Sequence, residues 1–224
     1  MGKFGGINKS ILLFLLIHIA IKSVIFSQEI IDKPIQFSEE RKQLSLEYLK
    51  THYDIKQEEP IITPRMIVLH WTAIPSFEES FKAFDDVHLP DSRAGIKDAS
   101  TLNVSTQFLV DRDGQIYRLM PETFMARHVI GLNHVAIGVE NVGGENAPLT
   151  KAQLKSNIWL VNYLKAKYET IVYLIGHYEY KNFESSDLWL ENDDTYRTDK
   201  IDPGVDFMNK VRAATKNLKL RGAI

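Results

Sequence analysis

Apolar and polar positions divide this chain into a leader and one patterned domain. Residues 11–21 read ILLFLLIHIAI, with Lys3 and Lys9 before them and Lys22 after. A basic start, a short apolar centre and the small Ser27 make the pattern of a secretory signal peptide over residues 1–27. Ile25, three positions before the presumed cut, is not small, so an uncleaved N-terminal anchor is the alternative reading. Residues 29–37 read as a linker. Ser38 is placed to N-cap a helix reaching about Tyr53, with Glu39 and Glu40 in its first turn and Leu46, Leu49 and Tyr53 on one face. A polar, Pro-containing connector then leads to Ile67-Val68-Leu69, a partly β-branched run that reads as a buried strand and ends in His70.

Further along, Phe77, Phe81 and Phe84 recur at helical spacing and predict a helix packed through its aromatic side. Two β-rich runs, 107–110 and 115–120, flank Asp111-Arg112-Asp113-Gly114, which predicts a hairpin. Residues 136–142, AIGVENV, form another strand pattern ended by two glycines. Thr150 with Gln153 makes a capping box for a long helix whose apolar face is Leu154, Ile158, Val161, Leu164 and Tyr168. Residues 171–175 predict a strand ending in Gly176-His177, and 179–199 a long acidic, aromatic loop of the kind that is usually functional or disordered. Asp202-Pro203 reads as cap and first residue of a last helix that buries Phe207, Val211, Ala214 and Leu218. This order predicts a single α/β domain, a mixed central β-sheet flanked by helices. The boundaries are 1–27 for the leader, 28–62 for linker and first helix, and 63–220 for the catalytic domain.

Composition narrows the chemistry. A formal net charge of −2 over 224 residues gives no sign of a nucleic-acid or anionic-membrane partner. Cysteine is absent, which rules out disulfides, thiolate metal sites and a cysteine nucleophile. A metal must then be held by His, Asp or Glu.

Two strands end in histidine, His70 and His177, and side chains at adjacent strand ends converge. Each alone reads as well as a core histidine bonded to a carbonyl. Asp202, fixed by the Pro-Gly after it, would complete a His-His-carboxylate set with an open fourth position, the ligand count of a catalytic zinc; a plain helix cap is the other reading. Glu140 sits among Ile137, Val139 and Val142, so it must be paired, exposed on one face, or the general base of such a site. Lys200 suits oxyanion stabilisation if its loop passes the metal, and is otherwise a surface lysine. HExxH, G-x-S-x-G, P-loop and dinucleotide motifs are absent, and the H-x-E of His177-Tyr178-Glu179 lacks the Cys pair of a zinc deaminase. Glu140 has no obvious carboxylate partner for a glycosidase.

These pieces resemble the zinc-dependent N-acetylmuramoyl-L-alanine amidases, whose fold is shared with peptidoglycan recognition proteins. IVLHWTA, NVSTQFLVDRDGQIYRLMP, RHVIGLNHVAIGVENVGG, LTKAQ, LIGHYEY and TDKIDPG occur in the family's order. The resemblance implies one Zn2+ held by His70, His177 and Asp202, Glu140 as general base and Lys200 at the oxyanion. It puts His128, Asn133 and Gln107 at the substrate, peptidoglycan or a muropeptide, cut at the amide between the lactyl group of N-acetylmuramic acid and L-Ala. A non-catalytic peptidoglycan-binding module of the same fold is the alternative, disfavoured by the complete ligand set. A monomer exported to the periplasm or cell envelope, or secreted, is expected, with no membrane contact beyond the leader. The 181–196 segment is longer than the family usually carries and is expected either to wall the peptide groove or to be a decorative surface loop.

Overall fold

The computed structural model describes residues 28–91, 96 and 99–223. The leader expected over residues 1–27 lies outside them. In chain order the elements are β1 (Ile30–Asp32), α1 (Glu39–Tyr53), β2 (Met66–Leu69), α2 (Phe77–Asp85), β3 (Phe108–Val110), β4 (Ile116–Arg118), β5 (Ala136–Asn141), α3 (Lys151–Lys167), β6 (Tyr173–Gly176), a 3-10 helix (His177–Phe183) and α4 (Val205–Ala214). The strands form one mixed sheet in the order β1-β4-β3-β5-β2-β6. Only β3 and β4, joined through Asp111–Gly114, run antiparallel; the other neighbours are parallel.

Side chains alternate across a strand, so each strand serves two layers. On β2, Met66 and Val68 face a front layer with Tyr48 and Leu49 of α1, while Ile67 and Leu69 face a back layer with Leu160 and Val161 of α3 and Val211 of α4. The register sets Val68 opposite Gly138 on β5 and Ile175 on β6. Two residues further on, the same front-facing positions are His70, Glu140 and His177. Three parallel strands therefore deliver their last side chains to one place on the front of the sheet, at its C-terminal edge.

Several expectations are corrected. The 29–37 linker contains β1, an edge strand paired parallel to β4. The buried face of α1 is rich in polar residues, including Arg41, Ser45 and His52, with Leu46 only half-buried. Arg41 reaches across to the carbonyls of Phe84, Asp85 and Asp86, where it caps the C-terminus of α2. On α3 the capping box forms as expected, but Gln153, Ser156 and Asn157 are buried and Leu154 and Ile158 are half-exposed. Gln153 donates to the Val110 and Val142 carbonyls, so that helix docks on strand ends through amides as well as methyls. On α4, Met208 is buried and Ala214 exposed.

Asp202 does not cap α4. The helix starts two residues later from Gly204, which has φ of 90° and offers no side-chain cap, and the Asp202 carboxylate is turned elsewhere.

Candidate active site

His70, at the end of β2, and His177, at the end of β6, meet across the front of the sheet with Nδ1 atoms 2.9 Å apart. Asp202 Oδ2 lies 3.2 Å from His70 Nδ1 and 3.1 Å from His177 Nδ1. The three donors make a near-equilateral triangle of buried atoms, 1%, 7% and 7% exposed by residue. Two imidazole nitrogens and a carboxylate oxygen gathered this closely, away from water, need positive charge between them. The group is suited to hold a metal ion. Burial alone would raise the Asp202 pKa; the facing imidazoles of His177 and His70 outweigh it and hold the carboxyl far below its ordinary range. Burial, with His70 alongside, lowers His177 to about 4, against the opposing pull of Asp202.

The backbone around each donor is braced. Asn141 donates through Nδ2 to the His70 carbonyl and accepts from Asn157 of α3. Glu179 accepts from the Gly176 N–H and binds Arg212 of α4, so the H-x-E spacing serves the strand end that carries His177. The Tyr178 N–H donates to the Asp202 carbonyl at 3.1 Å and ties together the two segments that carry His177 and Asp202.

His177 and Asp202 line a cavity of about 310 Å³ together with Glu140, Lys200, His128, Asn133 and Trp71. Glu140 is 9% exposed and stands on the same sheet face as the two histidines. The Lys200 charge reaches the site, where it opposes protonation of His177. His128 places Nδ1 3.0 Å from the outer nitrogen of His70, and its Nε2 lies 3.3 Å from the Ala136 carbonyl oxygen. Burial first, then His70, pushes its pKa well below the ordinary value and keeps it neutral. Room for this ring comes from Gly138: a Cβ there would sit 2.8 Å from Thr106 Oγ1 and 2.9 Å from the His128 ring.

Asn133 lines the cavity, yet its amide is engaged in scaffold bonds. Its Oδ1 accepts from the backbone N–H groups of His128 and Val129, and its Nδ2 donates to Tyr53 of α1. Gln107, expected at the substrate, is not part of the lining. It is fully buried, its Oε1 accepting from the Gly138 N–H and its Nε2 donating to the Phe124 carbonyl.

These positions match a known family over most of the chain. The profile of the N-acetylmuramoyl-L-alanine amidases, Amidase_2, aligns with residues 57–205. The chain belongs to this family. Among its relatives, the endolysin of Escherichia phage T7 is 33% identical over 129 residues, 53% of this chain and 85% of that protein. The endolysin of Enterobacteria phage T3 is 31% identical over 154 residues, 64% of this chain and 97% of that one. The fold is shared with the endolysin amidase LysCS of Clostridium intestinale, at a TM-score of 0.52 and 20% identity, covering 86% of this chain and 97% of the other. It is shared also with selenomethionine AmpD, at 0.51 and 21%, covering 83% and 94%. This amidase is thus a peptidoglycan hydrolase of the N-acetylmuramoyl-L-alanine amidase type.

Two parts of the amidase wall the cavity from beyond the expected motifs. Tyr48 comes from α1, which precedes the matched region, and Tyr196 closes the 181–196 segment. Of that segment only Tyr196 reaches the cavity. The rest is anchored at a few positions, with Phe183, Leu188 and Glu191 buried and Trp189 lying over Gly131, where a Cβ would be 2.6 Å from the indole, while Glu184, Asp187, Asp193 and Asp194 are exposed. Between the two walls lies Arg127, buried, with its guanidinium donating to the carbonyls of Ile96, Ser100 and Leu102 and to the Tyr196 hydroxyl. Sequence reasoning missed Arg127 and Asn141. The available signal was position alone: each is a polar neighbour of a site residue inside an otherwise apolar stretch.

Proposed function

We propose that the chain is a zinc-dependent amidase that hydrolyses the bond between the lactyl carbonyl of N-acetylmuramic acid and the nitrogen of L-Ala. One Zn2+ would be held by His70 Nδ1, His177 Nδ1 and Asp202 Oδ2. The observation that carries the reading is the donor triangle: edges of 2.9, 3.1 and 3.2 Å approach the spacing of about 3.3 Å between donors around tetrahedral zinc with bonds of about 2.0–2.1 Å. Two imidazoles and a carboxylate are also the right donor chemistry for such an ion, and two of the three residues border the cavity.

Zinc bound there supplies Lewis-acid polarisation of the scissile carbonyl and of the attacking water. Glu140 takes the proton from that water as it attacks, and the same carboxyl then gives a proton to the departing L-Ala nitrogen. The Lys200 ammonium balances the negative charge that develops on the carbonyl oxygen. The cavity walls hold the muropeptide so that its amide lies over the triangle.

We propose further that the amidase is exported, a reading that rests on the basic and apolar pattern of residues 1–27. The site is tested by metal analysis of purified protein. One zinc per chain is expected in the wild type and a large loss of bound zinc in D202A. Equal zinc content in the two proteins would remove Asp202 from the ligand set.

A further inference from the structure

His128 does not belong to the ligand triangle, yet it touches it from outside. Its contacts form a chain with a fixed direction. The Ala136 carbonyl oxygen can only accept, and it faces His128 Nε2 at 3.3 Å. A neutral imidazole has one donor nitrogen and one acceptor nitrogen. With Nε2–H given to Ala136, His128 Nδ1 is left as the acceptor. That nitrogen faces His70 Nε2 at 3.0 Å, so His70 must carry its proton on Nε2. The remaining nitrogen of His70, Nδ1, is the one inside the triangle, and it is left with a lone pair.

We infer that His128 is a positioning residue for the metal: it fixes the tautomer and the ring plane of His70, so that a lone pair and not an N–H is turned toward His177 and Asp202. The inference rests on the zinc reading of the site and adds a role that the ligand set alone does not contain. An outer hydrogen-bond partner of this kind orients a metal-bound imidazole and raises its basicity.

The surroundings of His128 are built for the task. Asn133 Oδ1 binds the N–H groups of His128 and Val129 at 2.9 and 2.8 Å and fixes the loop backbone. Asn133 is in turn held by Tyr53. Gly138 leaves the floor open for the ring, and Gln107 holds the Gly138 N–H at 2.7 Å. The ring planes of His70 and His128 cross at 89°, which lets the Nδ1 lone pair of one meet the N–H edge of the other. Three residues expected to touch substrate are therefore linked in one support that ends on a ligand.

The test compares zinc affinity, by competition with a chromophoric chelator, in wild type, H128L and H128N. Leucine removes the acceptor, and a loss of about 10–100-fold is expected. Asparagine can return an acceptor oxygen near the place of Nδ1 and is expected to restore most of the affinity. Long-range 1H–15N spectra of zinc-free wild type, labelled in its imidazoles, are expected to show His70 protonated on Nε2, and this measurement stands even if H128L fails to fold. Undiminished zinc affinity in folded H128L, or His70 carrying its proton on Nδ1, would overturn the positioning role. A wild type that binds no zinc would instead overturn the reading of the site as a zinc centre.

Discussion

At the scale of single residues, the site depends on groups of one kind placed where another would be inert. In the proposed mechanism Glu140 is the base: it ends a front-facing alternation that Ala136 and Gly138 begin and shares a cavity lining with His177. E140Q keeps the shape and removes the base. Its kcat is expected to fall by about 10²–10⁴-fold with zinc content unchanged, and a loss under tenfold would remove Glu140 from that role. For Lys200 the corresponding change, K200A, is expected to cost about 10²–10³-fold in kcat. Gly138 makes a different demand. A methyl group there meets Thr106 and the His128 ring at under 3 Å, so G138A must push His128 off the outer edge of His70. The expected result is a stability loss of about 1–3 kcal/mol together with weaker zinc binding; unchanged values for both would mean that the ring has room to spare.

At the scale of elements, α1 and the 181–196 segment are joined through a buried pair, beside the Asn192 N–H bond to the His52 carbonyl. His52 Nδ1 lies 2.7 Å from Glu191 Oε1, and its Nε2 lies 2.8 Å from the Ala99 carbonyl. Both partners are acceptors, so both ring nitrogens donate and the imidazole is charged. Burial pulls the His52 pKa down, but the bonds to Glu191 and Ala99 and the Glu191 charge outweigh it and, against the nearby Arg127, leave it raised. A raised native pKa stabilises the fold fully below the unfolded value of about 6.5 and loses that contribution as pH rises through the native value. E191L is expected to cost about 1–3 kcal/mol in chemical denaturation, with the gap to wild type widest in mild acid and narrowing as pH rises. A gap that widens with pH would contradict a charged His52.

This same scale shows what the sequence disclosed and what it hid. The strands ending in His70 and His177 were legible because apolar runs stop abruptly at a polar ring, and α3 because its capping box is a local signal. The buried face of α1 was not. Arg41 and His52 look like surface residues until Phe84, Ala99 and Glu191 arrive from elsewhere to partner them, and Ser45 is buried by turning its hydroxyl back to the Arg41 carbonyl of its own helix. β1 was missed because an edge strand of three residues carries little pattern. Asp202 was read both as cap and as ligand. Capping is a local habit of the residue type, and the helix start at Gly204 shows that the contact with two distant histidines prevailed. The donor triangle was legible in its residues, whereas the bracing by Gln107, Asn133 and Asn141 depends on register and loop path, which no short motif records.

At the scale of the whole molecule, the fold is a sheet that brings three parallel strand ends to one edge, backed by two helices and walled in front by α1 and the 181–196 segment. Tyr48 and Tyr196 carry those walls to the cavity, and Arg127 ties the second wall to the carbonyls of Ile96, Ser100 and Leu102. In the proposed function this arrangement cleaves an amide with the help of a zinc held by His70, His177 and Asp202. The most direct measurement incubates the protein with a defined muropeptide, with and without a chelator, and identifies the products by mass spectrometry. Free stem peptide beginning at L-Ala and intact sugar, lost on chelation and restored by added zinc, are the predicted result. Cleavage that survives full removal of the metal, or products in which the lactyl group is still joined to L-Ala, would contradict it.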